Sequence, residues 1–188
     1  MPEELYNMKP AKESLYKMEG ISKRTIDEHF KLYEGYVKKA NEITAKLMAM
    51  DPDPAAANPT YSEIRELKVE FSRAVGGVKN HDGYFAHLGG KGGQPGGRLM
   101  KKIEQDFWFG YDFQTRKSMN YIGDEQNTYP IWNATPWVFL DVFEHAYFID
   151  FGTKKGDYID TFLKSLDWQV VEKWADQRLA WEEESEEK

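Results

Sequence analysis

The sequence predicts an α+β protein. A helical N-terminal half over residues 1–90 is followed by a half over residues 91–188 that combines a small sheet of three short strands with helices. Three observations predict it. Two long stretches before residue 90 keep apolar residues at helical spacing. A glycine-rich run, GGKGGQPGG at 89–97, then closes the helical half. Beyond it, WFGYDF and SMNYIG are short, aromatic and β-prone, before helical spacing returns in YIDTFLKSLDWQVVEKWADQRLAW.

Taken in order, residues 1–20 read as extended and irregular. Ser22 opens the first helix, which carries Ile26, Phe30, Tyr33, Val37 and Ala40 on one face. DPDPAAANP at 51–59 breaks it, because proline has no backbone N–H to donate. A second helix starts near Ser62, carries Ile64, Leu67, Phe71, Val75 and Val78, and continues through His81 towards Leu88. The glycine run at 89–97 lacks the Lys-Ser/Thr of a phosphate loop and follows no strand, so it reads as a flexible connector. Leu99 to Phe107 suggests a third helix. QTRK then separates the two strands of a hairpin, and PWVFLDV (136–142) reads as a third strand. The tail EEESEEK is expected to fray. There is no internal repeat.

Composition narrows the function. Of 188 residues, 40% are hydrophobic and 15% aromatic, enough for a core and well suited to a walled-in site. The absence of cysteine excludes disulfides, iron–sulfur clusters, zinc-thiolate sites and cysteine nucleophiles. A net charge of −7 argues against nucleic acid as the main partner. No stretch is long and apolar enough for a membrane span, and MPEELYNMKPAKES has no apolar signal region. These features together predict a soluble cytoplasmic protein.

FLDVFEHAYF (139–148) sets Asp141 and His145 into an apolar, aromatic run. A buried charge is costly unless it is paired or bound to a metal. The chain has four histidines: His29, His81, His87 and His145. Each taken alone is more often a satisfied core or surface histidine than a ligand. Together, two long helices and a strand-plus-loop each offer one aromatic-flanked histidine, and Asp141 adds a carboxylate. Such a set suits iron, manganese or zinc.

These motifs resemble those of the iron/manganese superoxide dismutases. LDVFEHAYFIDF followed by GDYIDTFLKSLDW is similar to the family's D-V-W-E-H-A-Y-Y signature and the Asp-Tyr and Trp after it. NHDGYF resembles the element around the second histidine, and ISKRTIDEHFKLYEGYV resembles the first ligand helix. The resemblance spans about residues 9 to 175. It implies a helical hairpin domain followed by an α/β domain with a three-stranded antiparallel sheet. It implies superoxide as substrate and one manganese or iron ion per subunit, held by His29, His81, Asp141 and His145. It gives His87 no ligand role.

Around the metal, the resemblance implies a glutamine that hydrogen-bonds a metal-bound solvent. Iron-type members supply it from the second helix, manganese-type members from the sheet domain with glycine at the helix position. Here Gly77 stands at the helix position and Gln126 near the sheet position, which tilts the choice towards manganese and leaves iron open. The access channel departs from the family's H-x-x-x-H-H-x-x-Y-V. His29-x-x-x-Tyr33-x-x-Tyr36-Val37 is one residue shorter, so Tyr36 is the expected gateway tyrosine and Tyr33 takes the place of the gateway histidine. Phe148 replaces the tyrosine that normally bonds that histidine across subunits. Trp108 resembles the second tryptophan of a G-W-x-W element, and Phe143 replaces the signature tryptophan. The stretch between residues 106–107 and the hairpin is shorter than in the family, which should expose apolar surface unless a partner subunit covers it.

Glu144 occupies the position from which the family's glutamate reaches a ligand histidine of the neighbouring subunit. The resemblance therefore implies a homodimer, or a dimer of dimers, bridged by Glu144. Two other readings stay open: a catalytically impaired metal-binding or structural member of the same family, and a non-redox metallohydrolase.

Overall fold

The computed structural model describes residues 5–50, 57–58, 60–94, 110–119, 125–126 and 134–186, the last stretch with side chains through Gln177. The expected helix at 99–107 and Trp108 lie outside the described residues. After a 3-10 turn at Glu13–Lys17 come α1 (Lys23–Ala49), α2 (Glu63–Ala86), β1 (Gly110–Asp112), β2 (Lys117–Met119) and β3 (Ala134–Pro136). Three helices follow: α3 (Glu144–Phe151), α4 (Lys155–Lys164) and α5 (Trp168–Glu186). Contacts group the chain into two units. One comprises Met1–Pro10, His29–Asp82 and Gly123–Pro130; the other comprises Ala11–Glu28, Gly83–Ile122 and Ile131–Lys188.

Both long helices begin on serine caps. The Ser22 hydroxyl accepts the Thr25 N–H at 3.2 Å, and the Ser62 hydroxyl accepts the Arg65 N–H at 3.3 Å. Each bond satisfies one of the donors that a helix start leaves open. Along α1 Ile26, His29, Tyr33, Val37, Ala40 and Ile43 form a buried helical stripe as expected, with Thr25 also buried at its start and Phe30 half-buried at its edge. Along α2 the stripe is Ala74, Val78, His81 and Phe85. Ile64, Leu67, Phe71 and Val75 are only half-buried.

The start of the glycine run is not a free connector. The Gly90 and Gly92 amides donate to the Ser165 and Leu166 carbonyls, each at 3.0 Å, and Leu88 forms an isolated bridge with Leu166. A Cβ on Gly90 would lie 2.3 Å from the Leu166 carbonyl oxygen, so only glycine permits this approach. The same contact divides what reads in sequence as one C-terminal helix. Backbone groups of 165–167 are spent on residues 87–92 instead of on continuing α4, and α5 restarts at Trp168. Its backbone then stays helical through Glu186, where the tail was expected to fray.

The hairpin forms where expected, its strands described over Gly110–Asp112 and Lys117–Met119. Gly110 pairs with Met119 and Asp112 with Lys117, around a turn at Phe113–Arg116. The Asp112 carboxylate accepts the Gln114 and Thr115 amides at 2.8 and 3.1 Å, which fixes the turn locally. The sheet order is β2-β1-β3, and both pairings are antiparallel. The third strand is not PWVFLDV: it ends at Pro136, where that run begins. Beyond it the backbone donors go elsewhere. The Phe139 N–H reaches the His87 ring and the Phe143 N–H reaches the Asp141 carboxylate, so no ladder can form. The apolar run is buried for packing instead: Trp137 stacks on Tyr111, and both join Val171 and Ala175 of α5 in one core cluster.

Candidate metal centre

In the first unit, α1 and α2 present His29 and His81, which are 1% and 2% exposed. Their rings meet edge to face at 4.9 Å. His81 Nδ1 lies 2.7 Å from the Gly77 carbonyl oxygen. A carbonyl only accepts, so Nδ1 carries the proton, and a neutral ring then has its lone pair on Nε2. Such a bond fixes the tautomer a metal-ligating imidazole needs. Two tyrosines of α1 pack on the His81 ring: Tyr33 parallel at 5.8 Å and Tyr36 tilted at 5.3 Å.

Tyr33 was expected at a channel mouth, but it is 1% exposed. Its hydroxyl donates to the Asp82 carboxylate and accepts the Lys9 amide N–H at 3.0 Å. The Lys9 ammonium completes the arrangement at 3.1 Å from Asp82. Burial, reinforced by the bond to Asp82, pushes the Tyr33 phenol up to about 12. Tyr36 is half-buried and rests against Gly77, where a Cβ would lie 2.4 Å from its ring. Gln126 is half-buried, and its side-chain oxygen accepts the Asn80 amide at 2.8 Å. An Arg73–Glu125 ion pair at 2.9 Å anchors the residue before it.

In the second unit, Asp141 precedes α3 and His145 lies in its first turn, a helix rather than the expected strand and loop. His145 Nε2 is 3.1 Å from one Asp141 oxygen, and the other accepts the Phe143 N–H at 2.9 Å. The Tyr158 hydroxyl donates to the Asp141 carbonyl at 2.7 Å and lies 3.2 Å from the Tyr84 hydroxyl. Burial raises the pKa of both phenols, so they stay protonated and able to donate. Phe143 stacks on His145 at 5.8 Å. Asp150 of α3 accepts the Ser22 amide and the Thr25 hydroxyl, both at 2.7 Å, which ties α3 to the start of α1. Glu144 is exposed, and Leu140, Val142, Phe143, Phe148 and Ile149 are exposed apolar side chains around it.

His87 is fully buried and stays out of this set. Desolvation first, and then the nearby Lys12 ammonium, lower its pKa to about 3. By contrast, His29 and His81 meet ring to ring within the first unit, and Asp141 and His145 meet at 3.1 Å within the second. Three imidazole nitrogens and one carboxylate, with no sulfur, fit iron or manganese. Lys9, Asn80, Asp82 and Tyr158 carried little signal of these roles, although Asn80 and Asp82 stand inside the motif NHDGYF and Tyr158 inside GDYID.

The family model for the C-terminal domain of iron/manganese superoxide dismutases matches residues 105–174. A protein of Aquifex aeolicus named superoxide dismutase [Fe] is 39% identical over 180 residues, covering 82% of this chain and 84% of that protein. A Cupriavidus metallidurans superoxide dismutase [Fe] is 30% identical over 191 residues, covering 88% and 93%. A Haloferax volcanii superoxide dismutase [Mn] is 28% identical over 145 residues, covering 60% and 72%. Similarity of that extent shows that the chain belongs to the iron/manganese superoxide dismutase family.

Proposed function

We propose that this chain is a superoxide dismutase that holds one manganese or iron ion per subunit on His29, His81, Asp141 and His145. The observation that carries the reading is a buried His29–His81 pair in one unit and an Asp141–His145 pair in the other, in a chain of this family. When bound, such an ion supplies one-electron exchange: one superoxide gives up an electron to become dioxygen, and a second takes one up with two protons to become hydrogen peroxide.

The chain's own residues bind, orient and exclude. Asp141 is the one anionic donor in the set and offsets part of the ion's charge. Gly77 holds the His81 ring through its Nδ1–H. Tyr33 and Tyr36 pack on the His81 ring and Phe143 on the His145 ring, and on the family resemblance we assign Trp108 a catalytic role. We assign the gateway to Tyr36, on its half-buried position beside His81. The buried hydroxyl of Tyr33, tied to Asp82 and Lys9, supports a role in fixing the surroundings of His81 rather than a place at the mouth.

We assign the solvent-tuning amide to Gln126. Asn80 engages its oxygen and leaves its nitrogen as the donor. A glutamine at position 77 would collide with Tyr36, which supports Gln126 and, with it, manganese. Relatives carry the names of both metals. The exposed apolar strip around Glu144 supports a homodimer in which each Glu144 bonds the partner's ligand histidine, for a chain working in the cytoplasm.

Metal analysis and a superoxide assay on the purified protein test the reading, with sedimentation for the assembly. Bound manganese or iron with dismutation in proportion to it is expected. Metal without dismutation overturns the catalytic reading and leaves a metal-binding member of the family; absence of both metal and dismutation overturns the metal site as well. Glu144→Ala should weaken the dimer and metal retention together, while Glu182→Ala should leave both unchanged.

A further inference from the structure

Among the described residues, Asp141 is the proposed ligand that no regular element carries. It follows β3 and precedes α3, and its own N–H and C=O belong to neither. Something else must hold the segment. Two groups spaced one helical turn apart at the end of α2 do so, and both act on Phe139.

Gly83 receives the side chain. A Cβ there would lie 2.5 Å from the Phe139 ring, so the ring packs directly on helix backbone. His87 receives the main chain, its Nε2 accepting the Phe139 N–H at 2.8 Å. An amide N–H only donates, so Nε2 must offer its lone pair and the ring must be neutral with its proton on Nδ1. The His87 ring is boxed by Phe139, Phe162 and Trp174, at 6.0, 5.8 and 5.9 Å. Its own backbone is fixed as well, because the His87 carbonyl accepts the Asp167 N–H at 2.7 Å. The imidazole therefore has little freedom to turn away from Phe139.

We propose that His87 is a positioning residue: its neutral imidazole latches the Phe139 amide and thereby sets where Asp141 can present its carboxylate. The proposal rests on the metal reading above for its consequence, but the latch itself is a feature of the chain with or without an ion. Loss of the acceptor leaves the part-buried Phe139 amide without its partner, and the segment must shift or open to find another. Groups that orient ligands in this way typically change metal affinity about 10- to 100-fold when removed.

His87→Leu keeps bulk and removes the acceptor. His87→Gln places an amide oxygen near the position of Nε2 and restores it. Hydrogen exchange, read by mass spectrometry on peptides spanning 137–142, should find the Phe139 amide protected in the wild type and in His87→Gln, and exchanging at least about 10-fold faster in His87→Leu. Release of manganese or iron from the loaded protein to a chelator should follow the same order, about 10-fold faster in His87→Leu alone. Equal protection in all three proteins, or a His87→Gln variant as defective as His87→Leu, would overturn the latch. If His87→Leu does not fold, the wild type decides: a Phe139 amide that exchanges as fast as that of Leu140 sinks the proposal. A wild type without metal or dismutation would fail the functional reading and leave the exchange result standing.

Discussion

His29 and His81 sit on long helices, whereas Asp141 sits on a connecting segment, and the two regions achieve order by different means. A helix fixes its side chains through the i→i−4 ladder, which needs no particular sequence beyond a cap and an apolar stripe. Ser22 and Ser62 provide the caps, and one bond to Gly77 completes the orientation of His81. The Asp141 segment has no such ladder. It is held by Gly83 and His87 at the end of α2, by the nearby Phe143 N–H and by Tyr158 of α4, each a specific contact. The helical region therefore tolerates change at most positions, and the connecting segment tolerates it at few.

The largest effect should come from removing a ligand. His81→Ala leaves three donors and should cut bound metal and activity together by more than about 100-fold, read by metal analysis and a dismutation assay. Metal content near that of the wild type would show that the ligand set is wrong. Next comes a matched pair of glycines. Gly83→Ala drives a methyl group into Phe139 and should destabilise the fold by about 1–3 kcal/mol. Gly35→Ala in α1 meets nothing within 4 Å and should stabilise it by about 0.5–1 kcal/mol. Thermal denaturation of both variants breaks the comparison if their signs agree.

A smaller effect distinguishes His87 by pH. Its folded pKa lies near 3, below the ordinary value of 6.5. The unfolded chain therefore binds the proton first as pH falls. The stability it contributes is complete above about pH 6.5 and is lost progressively towards pH 3, at no more than about 1.4 kcal/mol per pH unit. The facing charged groups are Lys12, whose ammonium holds the pKa down, and Asp167, which attracts Lys12. Relative to His87→Gln, the wild-type denaturant midpoint should be constant above about pH 6.5 and fall progressively below it. A constant difference would mean that His87 is not buried as a neutral base.

Sequence patterns reached the two regions unequally for the same physical reason. The helices α1 and α2 were legible almost to the residue, because serine caps and apolar periodicity are local signals. The hairpin was legible too, through short aromatic runs around a polar turn. PWVFLDV misled, since a Val/Phe-rich run is equally consistent with a strand and with a segment buried by its side chains alone. Helix α3 gave no start signal: Phe143 stands at its N-cap position and makes no side-chain cap bond. The four proposed ligands were reached through motif resemblance. The burial of Tyr33 was not, because its partners Lys9 and Asp82 come from stretches far apart in sequence.

The pairing of residues 87–92 with 165–167 also bears on the order of events during synthesis. The Asp167 amide bonds the His87 carbonyl, and the Gly92 amide bonds the Leu166 carbonyl. A ribosome adding about 5–20 residues each second needs several seconds between making one side of that contact and the other. During this interval the end of α2 is finished but has nothing to dock on. Closing so long a loop is a late, entropically costly step. A nascent chain can thus build the two histidine-bearing helices early, yet it cannot lock the turn that carries His87 until the C-terminal helices emerge. Capture of an ion by all four side chains would then follow the emergence of the C-terminal helices, which makes the supply of free metal from that moment on the quantity that decides what is loaded.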